Sequence, residues 1–409
     1  MNILYINHYA GSPNMGMEFR PFYLSQEWSK MGHKVTIIAA DYSHLRKKNP
    51  KVDRDFYIEF IEGIEYVWIK TGKYKSNGVK RALTMGRFVR TLFLHSKMIA
   101  EKWRPNVVIA SSTYPLDAYP AKRIAKMAGA KYVHEVHDMW PITPIELYGM
   151  SRNHPFVKIM QCAEDYFCTH ADKVVSILPC ANAYFVNHGM DERKFIYVAN
   201  GVKVSDWEFP EELPAEYVDV IKRARREKRL VLTFFGSHTK SYALDYLLKA
   251  LAKVNQSKIF VLFVGSGTYK DYLITLAKEL NIDKDAYSFL PPINKNAIPS
   301  LIQACDASYV GAIKNRMFEF GIGMNKLFDA MMGGKPLLYA VDAPNDFAKQ
   351  YDCGISVQAE DVLALKMGIE TLLSMDEDTR KQMGDNGHKA ILENFTFPVL
   401  AKKFLDGIS

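Results

Sequence analysis

Lys326 and Asp329 stand three residues apart at the start of an amphipathic run, directly after Gly321-Ile322-Gly323-Met324-Asn325. A glycine loop entering a helix leaves backbone N–H groups unpaired and presents the positive end of the helix dipole, a setting suited to phosphate. Lys326 adds a formal cation at that end. Asp329 lies on a neighbouring face one turn further in, where a carboxylate can accept from ribose hydroxyls. Gly323, Met324, Asn325, Lys326 and Asp329 together predict a nucleotide diphosphate site. The helix should stop at Gly333-Gly334, and Pro336 should open a strand. An ordinary loop–helix–strand unit would use the same residues.

Three other stretches carry chemistry. His137 and Asp138 follow a strand pattern, 131–136, and a His-Asp pair at a strand's carboxyl end can bond a sugar or take a proton from a hydroxyl. A second strand pattern, 230–235, runs into Gly236-Ser237-His238-Thr239-Lys240, again a strand, glycine and helix arrangement suited to phosphate. Near the start, a long glycine loop ends at Gly16, and Arg20 follows it as a residue that can contact an anionic group. No metal site is predicted. Asp283-Lys284-Asp285 and Asp376-Glu377-Asp378 resemble acidic metal-binding triplets but sit in polar turns, and no His- or Cys-rich ligand set occurs.

These motifs resemble those of GT-B glycosyltransferases of the family 4 type. Asp329-Ala330-Met331 matches the second acidic position of that family's nucleotide-sugar motif, while the first acidic position falls on Gly321, with Glu319 two residues early. The Asn325-Lys326 variant and His137-Asp138-Met139-Trp140-Pro141 resemble a bacterial branch that makes O-antigen and capsule sugars, including transferases of N-acetylfucosamine type. Asn200-Gly201-Val202 matches the turn that ends the family's first domain. The resemblance places Gly16 near the donor phosphate and acceptor. It puts Gly265, in Val264-Gly265-Ser266-Gly267, in a donor-lining turn, and assigns base contacts to the backbone at Leu290 and Ile293. Family members use an Arg and a Lys after the 230–235 strand; here Ser237 and His238 cover the Arg position, and Lys240 or Lys326 is left to neutralise the diphosphate.

The elements that must position these residues are legible as alternation. Strand patterns at 3–7, 34–40, 64–68, 107–111, 131–136, 173–177 and 195–198 alternate with helical patterns near 17–31, 78–102, 117–128, 155–170 and 180–188. The second half repeats this, with strands at 230–235, 259–264, 287–289, 307–310 and 336–340. Its helices fall near 242–253, 268–280, 295–304, 325–333, 344–349, 360–374 and 378–394. Such alternation predicts an α/β protein of two doubly wound, Rossmann-like domains, with ligands at the carboxyl ends of the strands. The 409-residue length fits two domains. The expected bounds are 1–205 for an acceptor domain and 206–394 for a nucleotide-sugar domain. By resemblance the two face a cleft, and a C-terminal helix within 395–409 returns to the first.

Composition narrows the partners. Apolar residues make up 48% and charged residues 24%, which suits a globular chain rather than a disordered one. No apolar run is long enough for a transmembrane helix, the start reads as a strand rather than a signal peptide, and five scattered cysteines suit a reducing cytoplasm. Residues 1–205 hold 28 Lys+Arg against 18 Asp+Glu, and the remainder 25 against 27. A basic half predicts an anionic partner, and without a nucleic-acid recognition motif a membrane surface is favoured. The segment 73–104 concentrates this charge in Lys73, Lys75, Lys80, Arg81, Arg87, Arg90, Lys97, Lys102 and Arg104, with Leu83, Phe88, Leu92, Phe93 and Ile99 between them. A basic amphipathic helix of this kind can lie on an anionic bilayer, with Arg81, Arg87 and Arg90 as contacts.

The resulting expectation is a retaining, metal-independent transferase that needs no cofactor. It would move an N-acetylated or deoxy hexose from a UDP-sugar to a lipid-linked glycan, at the inner face of the bacterial plasma membrane. A nucleotide-sugar epimerase and a non-catalytic nucleotide-sugar-binding protein are the alternatives. The oligomeric state is left open.

Overall fold

The computed structural model describes residues 1–16, 19–74 and 78–409. Lys75, counted above in the basic segment, lies outside them, as do Met17 and Glu18. The chain forms two compact units: Met1–Ala199 with Phe397–Ser409, and Asn200–Thr396. The divisions fall at 199/200 and 396/397, not at 205/206 and 394/395, and packing explains both shifts. Val202 bridges Thr396, its N–H donating to the Phe395 carbonyl at 2.8 Å. Phe395 itself packs on Phe328 and Phe347 of the second unit, with ring centroids 5.2 and 5.7 Å apart.

The first unit is an eight-stranded sheet in the order β3-β4-β2-β1-β5-β6-β7-β8. Its strands are β1 (Asn2–Ile6), β2 (Lys34–Ala40), β3 (Tyr57–Ile61), β4 (Ile64–Ile69), β5 (Val107–Ala110), β6 (Lys131–Val136), β7 (Lys173–Ser176) and β8 (Phe195–Tyr197). All pairs are parallel except β3–β4. The central strands are near-continuous apolar runs because helices cover both faces. Edge strand β3 was not expected. It is largely exposed and joined to β4 by Glu62-Gly63, both at positive φ, the geometry of a tight hairpin turn.

The long basic helix expected over 78–102 is two helices, Val79–Leu94 and Ser96–Trp103. The break falls at His95, whose φ −100° and ψ 15° leave the helical region, and the Ser96 hydroxyl donates back to the Phe93 carbonyl at 2.9 Å with the Leu92 carbonyl 3.0 Å away. A short helix, Ile142–Tyr148, was also not expected. The C-terminal helix Phe397–Ile408 packs on the helix Phe19–Lys30. There the Trp28 indole N–H donates to the Ala401 carbonyl at 3.0 Å, and Phe404 meets the Trp28 ring edge-on at 5.1 Å.

The second unit is a fully parallel six-stranded sheet in the order β11-β10-β9-β12-β13-β14. Its strands are β9 (Leu230–Phe235), β10 (Ile259–Val264), β11 (Tyr287–Leu290), β12 (Ala307–Gly311), β13 (Leu337–Ala340) and β14 (Gly354–Ser356). The last is a three-residue strand that no sequence pattern marked. Leu232, Phe234, Val261 and Phe263 pack with Leu247, Leu251, Leu365 and Ile369 from covering helices. In each sheet the strand order reverses beside the first strand of the unit, between β1 and β5 and between β9 and β12. Crevices open at such switch points. The candidate residues lie on loops at these two places and after the neighbouring strands β6, β10 and β11.

Candidate active site

In the second unit the loops after β9 and β10 lie backbone against backbone. Gly236 has φ +128° and Gly265 φ +148°, conformations that favour glycine. A Cβ on Gly265 would overlap the Gly236 carbonyl oxygen, and one on Gly267 would overlap the His238 carbonyl. The His238 N–H donates to the Ser266 carbonyl at 2.8 Å, locking the two loops. The helix Asn325–Met332 begins beside them and supplies Lys326 from its first turn.

Lys326 is the outstanding group. Its Nζ is buried and has no hydrogen-bond partner among the described residues. It lies over the rings of Tyr242 and Phe234, 3.3 and 4.3 Å from their centroids. A Cβ on Gly236 would come within 2.7 Å of it. Burial pulls its pKa down to about 7. His238 is completely buried nearby, and neither ring nitrogen has a partner among the described residues. Burial, then Lys270 and Lys326, push its pKa down to about 4, so the imidazole is neutral. Lys270 was not foreseen. It opens the helix Lys270–Glu279, and its Nζ donates to the Gly265 carbonyl at 3.3 Å. Two cations and a neutral imidazole therefore surround paired glycine turns. Unmatched buried donors of this kind are costly until an anion arrives.

The preceding loop is held rigid. The Ile322 N–H and carbonyl both bond the Asn345 side chain at 2.8 Å, and the Asn200 amide donates to the Gly323 carbonyl at 2.7 Å. Asn200 thus anchors the loop. Met324 is the extended N-cap residue, and Asn325 is exposed. Asp329 is half-buried. Burial raises its carboxyl to about 6, with Lys295 opposing and Asp206 adding to the rise. Ser237 and Lys240 are exposed. The Leu290 carbonyl accepts the Gly265 N–H at 3.0 Å, and Ile293 is half-buried. Glu319 is exposed and lies 3.6 Å from Arg316.

In the first unit, Glu135 was missed and is central. It is fully buried, and the guanidinium of Arg20 donates to its Oε1 at 2.9 Å. Arg20 also donates to the Ala199 and Val198 carbonyls at 2.5 and 3.0 Å. The expectation that Arg20 contacts a bound anion is therefore corrected: its charge is spent inside the unit. The other Glu135 oxygen receives Tyr5 Oη, Ser111 Oγ at 2.7 Å and His137 Nε2 at 3.1 Å. Burial alone would raise the Glu135 carboxyl, but Arg20, then His137, hold it well below the usual carboxylate range. Asp138 is exposed beside this cluster. Gly16 has φ +87°, and a Cβ there would meet the Lys47 side chain at 3.0 Å. The signal for Glu135 was present as an acidic residue at an inward position of an otherwise buried strand.

Two of the three basic residues assigned to a membrane face inward or pair locally. Arg81 donates to Tyr9 Oη at 3.1 Å and lies over its ring. Arg87 bonds the Lys70 carbonyl and sits 3.6 Å from Asp55. Arg90 is exposed, as are Lys80, Val79, Leu83 and Leu94 on the same helix. Asp376 caps the helix Glu377–Asn394, and Asp283 accepts from the Asp285 N–H, so both acidic triplets serve local turns. A Glu164, Asp165 and His188 group does bring three metal-capable side chains together. Gln161 donates to both carboxylates and Tyr184 to Glu164, which satisfies the group without an ion. No described helix is long and apolar enough to cross a membrane.

Two Rossmann-like units, each with a polar cluster at the carboxyl ends of its central strands, and one with a buried lysine that has no hydrogen-bond partner among the described residues, make up a fold of the GT-B type. Comparison with known proteins agrees: residues 16–201 match the glycosyl transferase 4-like domain and residues 219–390 the glycosyl transferases group 1 domain. The chain is a glycosyltransferase built from these two domains. It is similar in fold to sucrose-phosphate synthase from Thermosynechococcus elongatus, at 16% identity, over 99% of this chain and 97% of that one, with a TM-score of 0.74. It is also similar to Anabaena Alr3699/HepE in complex with UDP and glucose, at 15% identity, 99% and 98% coverage and TM-score 0.67. A third likeness is to WaaG, a glycosyltransferase involved in lipopolysaccharide biosynthesis, at 15% identity, 100% and 99% coverage and TM-score 0.66. No curated sequence relative matches.

Proposed function

We propose that the enzyme transfers a hexose, N-acetylated or deoxygenated, from a UDP-sugar to a lipid-linked glycan in O-antigen or capsule synthesis. The carrying observation is the buried Lys326 ammonium, without a hydrogen-bond partner among the described residues, at a helix start beside Gly236 and Gly265. A diphosphate supplies the missing counter-charge. Asp329 bonds the ribose, and Lys270 and His238 complete the anion site. HepE, a fold neighbour, binds UDP-glucose, which supports a uridine donor. WaaG's part in lipopolysaccharide synthesis supports a lipid-linked acceptor.

In this reading the bond between the sugar C1 and the diphosphate oxygen breaks, and the acceptor oxygen bonds C1 on the same face. The acceptor's proton passes to the departing phosphate. Negative charge grows on the diphosphate, and fixed cations stabilise it there without a metal ion. His137 bonds the sugar and helps fix its orientation. Incubation with radiolabelled UDP-sugars and membranes is the test. Label in lipid supports the proposal. Isomerised free donor would instead mark an epimerase, and binding without turnover a nucleotide-sugar-binding protein.

Asp329→Asn is expected to weaken UDP binding about tenfold while pyrophosphate binding changes less than about twofold. Isothermal calorimetry with both ligands checks this, and equal losses would remove Asp329 from the ribose.

The protein also works at the inner face of the plasma membrane in this proposal. The docking face is redrawn to the exposed Lys80, Arg90, Val79, Leu83 and Leu94. Lys80→Glu with Arg90→Glu should lower partitioning onto anionic vesicles by at least about tenfold, since each basic residue contributes about 1 kcal/mol at such a surface. Unchanged co-sedimentation would refute this face.

A further inference from the structure

We propose that Tyr242 is a positioning residue: its ring, together with that of Phe234, forms an uncharged cradle that holds the Lys326 ammonium beside the Gly236 turn, with no carboxylate to compete for it. That this ammonium then meets a diphosphate rests on the transferase reading above. The cradle itself does not.

Three elements build it. Strand β9 delivers Phe234, and Gly236 follows directly after the strand's last residue. A 3₁₀ turn, Lys240–Tyr242, brings the Tyr242 ring to 5.7 Å from that of Phe234, with the two planes at 52°. The helix Asn325–Met332 supplies Lys326 from its first turn. The Lys326 Nζ then lies 3.3 Å from the Tyr242 centroid and 4.3 Å from that of Phe234. Both fall inside the range of about 6 Å over which a ring face attracts a cation. Gly236 leaves room for the ammonium, since a Cβ there would stand 2.7 Å from it.

The choice of rings has a chemical reason. A buried ammonium tends to lose its proton unless something nearby favours the charged form. A carboxylate in contact with it would do so, but it would also occupy the N–H donors and repel an incoming anion. A ring face offers the negative side of its quadrupole and carries no net charge. The surrounding ionisable groups fit this account. Burial raises the Tyr242 phenol above its ordinary value, so that ring stays neutral. His238 is neutral, and Lys270 beside it is a cation. Asp329, on the same helix as Lys326, responds to burial and then to Lys295 and Asp206. Among the described residues no group hydrogen-bonds the Lys326 ammonium. Apolar packing alone would be served as well by leucine as by tyrosine at position 242, and that difference separates the two roles.

The test uses the full chain labelled with ¹³C at lysine Cε, with Lys326→Met assigning the resonance by its loss. In the parent protein the Lys326 Hε signals should lie upfield of those of the other lysines, displaced by the ring currents, and should titrate near pH 7. Tyr242→Leu keeps an apolar side chain and removes the ring face. It should lower the Lys326 midpoint by about one unit, the size of one desolvated ring–cation attraction. At pH 7 the charged fraction then falls from about one half to about one tenth. UDP should bind about fivefold more weakly there, but less than about twofold more weakly at pH 5.5. Tyr242→Phe retains the ring and should restore both midpoint and affinity. An unmoved midpoint with equal weakening at the two pH values would reduce Tyr242 to a packing residue and overturn the proposal. Parent signals without the upfield displacement would overturn it too, and that measurement needs no variant to fold. A midpoint lowered by Tyr242→Leu in a protein that binds no UDP would uphold the cradle and refute only the donor reading.

Discussion

Lys326→Met is expected to raise the dissociation constant for UDP by on the order of 10²-fold, the usual scale for removing one partner of a buried charge pair. Isothermal calorimetry near neutral pH checks it. The same substitution should make the free protein more stable, by about 1–3 kcal/mol, because a buried ammonium with no hydrogen-bond partner among the described residues is replaced by a thioether of similar length. The sign follows from the pKa. Lys326 sits at about 7 in the folded chain against 10.5 as a free side chain, so folding disfavours its proton. The resulting destabilisation is absent above the free value, grows as pH falls, and is complete below about 7. The stability gained by Lys326→Met should therefore be larger at pH 7 than at pH 9.

Binding runs the other way. The diphosphate needs the ammonium, so above pH 7 binding must take up a proton. Affinity should fall by up to about tenfold per pH unit there. The methionine variant should lose that slope. A variant that binds UDP as tightly as the parent, with the same pH profile, would remove Lys326 from the site.

Gly265→Ala should be nearly as damaging by a different route. Its Cβ has nowhere to go except into the Gly236 carbonyl, and φ +148° is strained for any side chain. Either the two loops separate or the unit unfolds. A loss of about 3 kcal/mol or more in stability is expected, with UDP binding lost in any folded remainder. Gly149→Ala is the control. It also has positive φ, +65°, but nothing lies within 4 Å of a Cβ there. Its cost should stay near 1 kcal/mol. Denaturant melts of the two variants decide the matter, and equal costs would show that the loop contact is unimportant.

The contrast between these glycines shows where sequence legibility stops. Buried parallel strands such as 107–110 and 259–264 announce themselves as apolar runs, because both faces are covered. Edge strand β3 does not, since it is mostly exposed and lacks a clean alternation. The loop at Gly321–Asn325, Lys326 and Asp329 was visible because its parts are adjacent in the chain. Arg20 was misread because its partner Glu135 lies 115 positions away, and Arg81 because Tyr9 lies 72 away. Lys270 carries no motif at all. It comes beside the proposed diphosphate site only because β10 ends beside β9. Local spacing reveals candidates, whereas the partner that neutralises a charge is set by tertiary packing.

The return of the Phe397–Ile408 helix to the first unit bears on biosynthesis. Trp28 finds its carbonyl acceptor only at Ala401, 373 residues downstream. While the ribosome is still translating the intervening segment, the Phe19–Lys30 helix must wait with part of its apolar side uncovered. The opening half of this polypeptide therefore completes its packing last, after the middle has had time to fold, and a nascent chain stalled before residue 397 would expose that surface to chaperones.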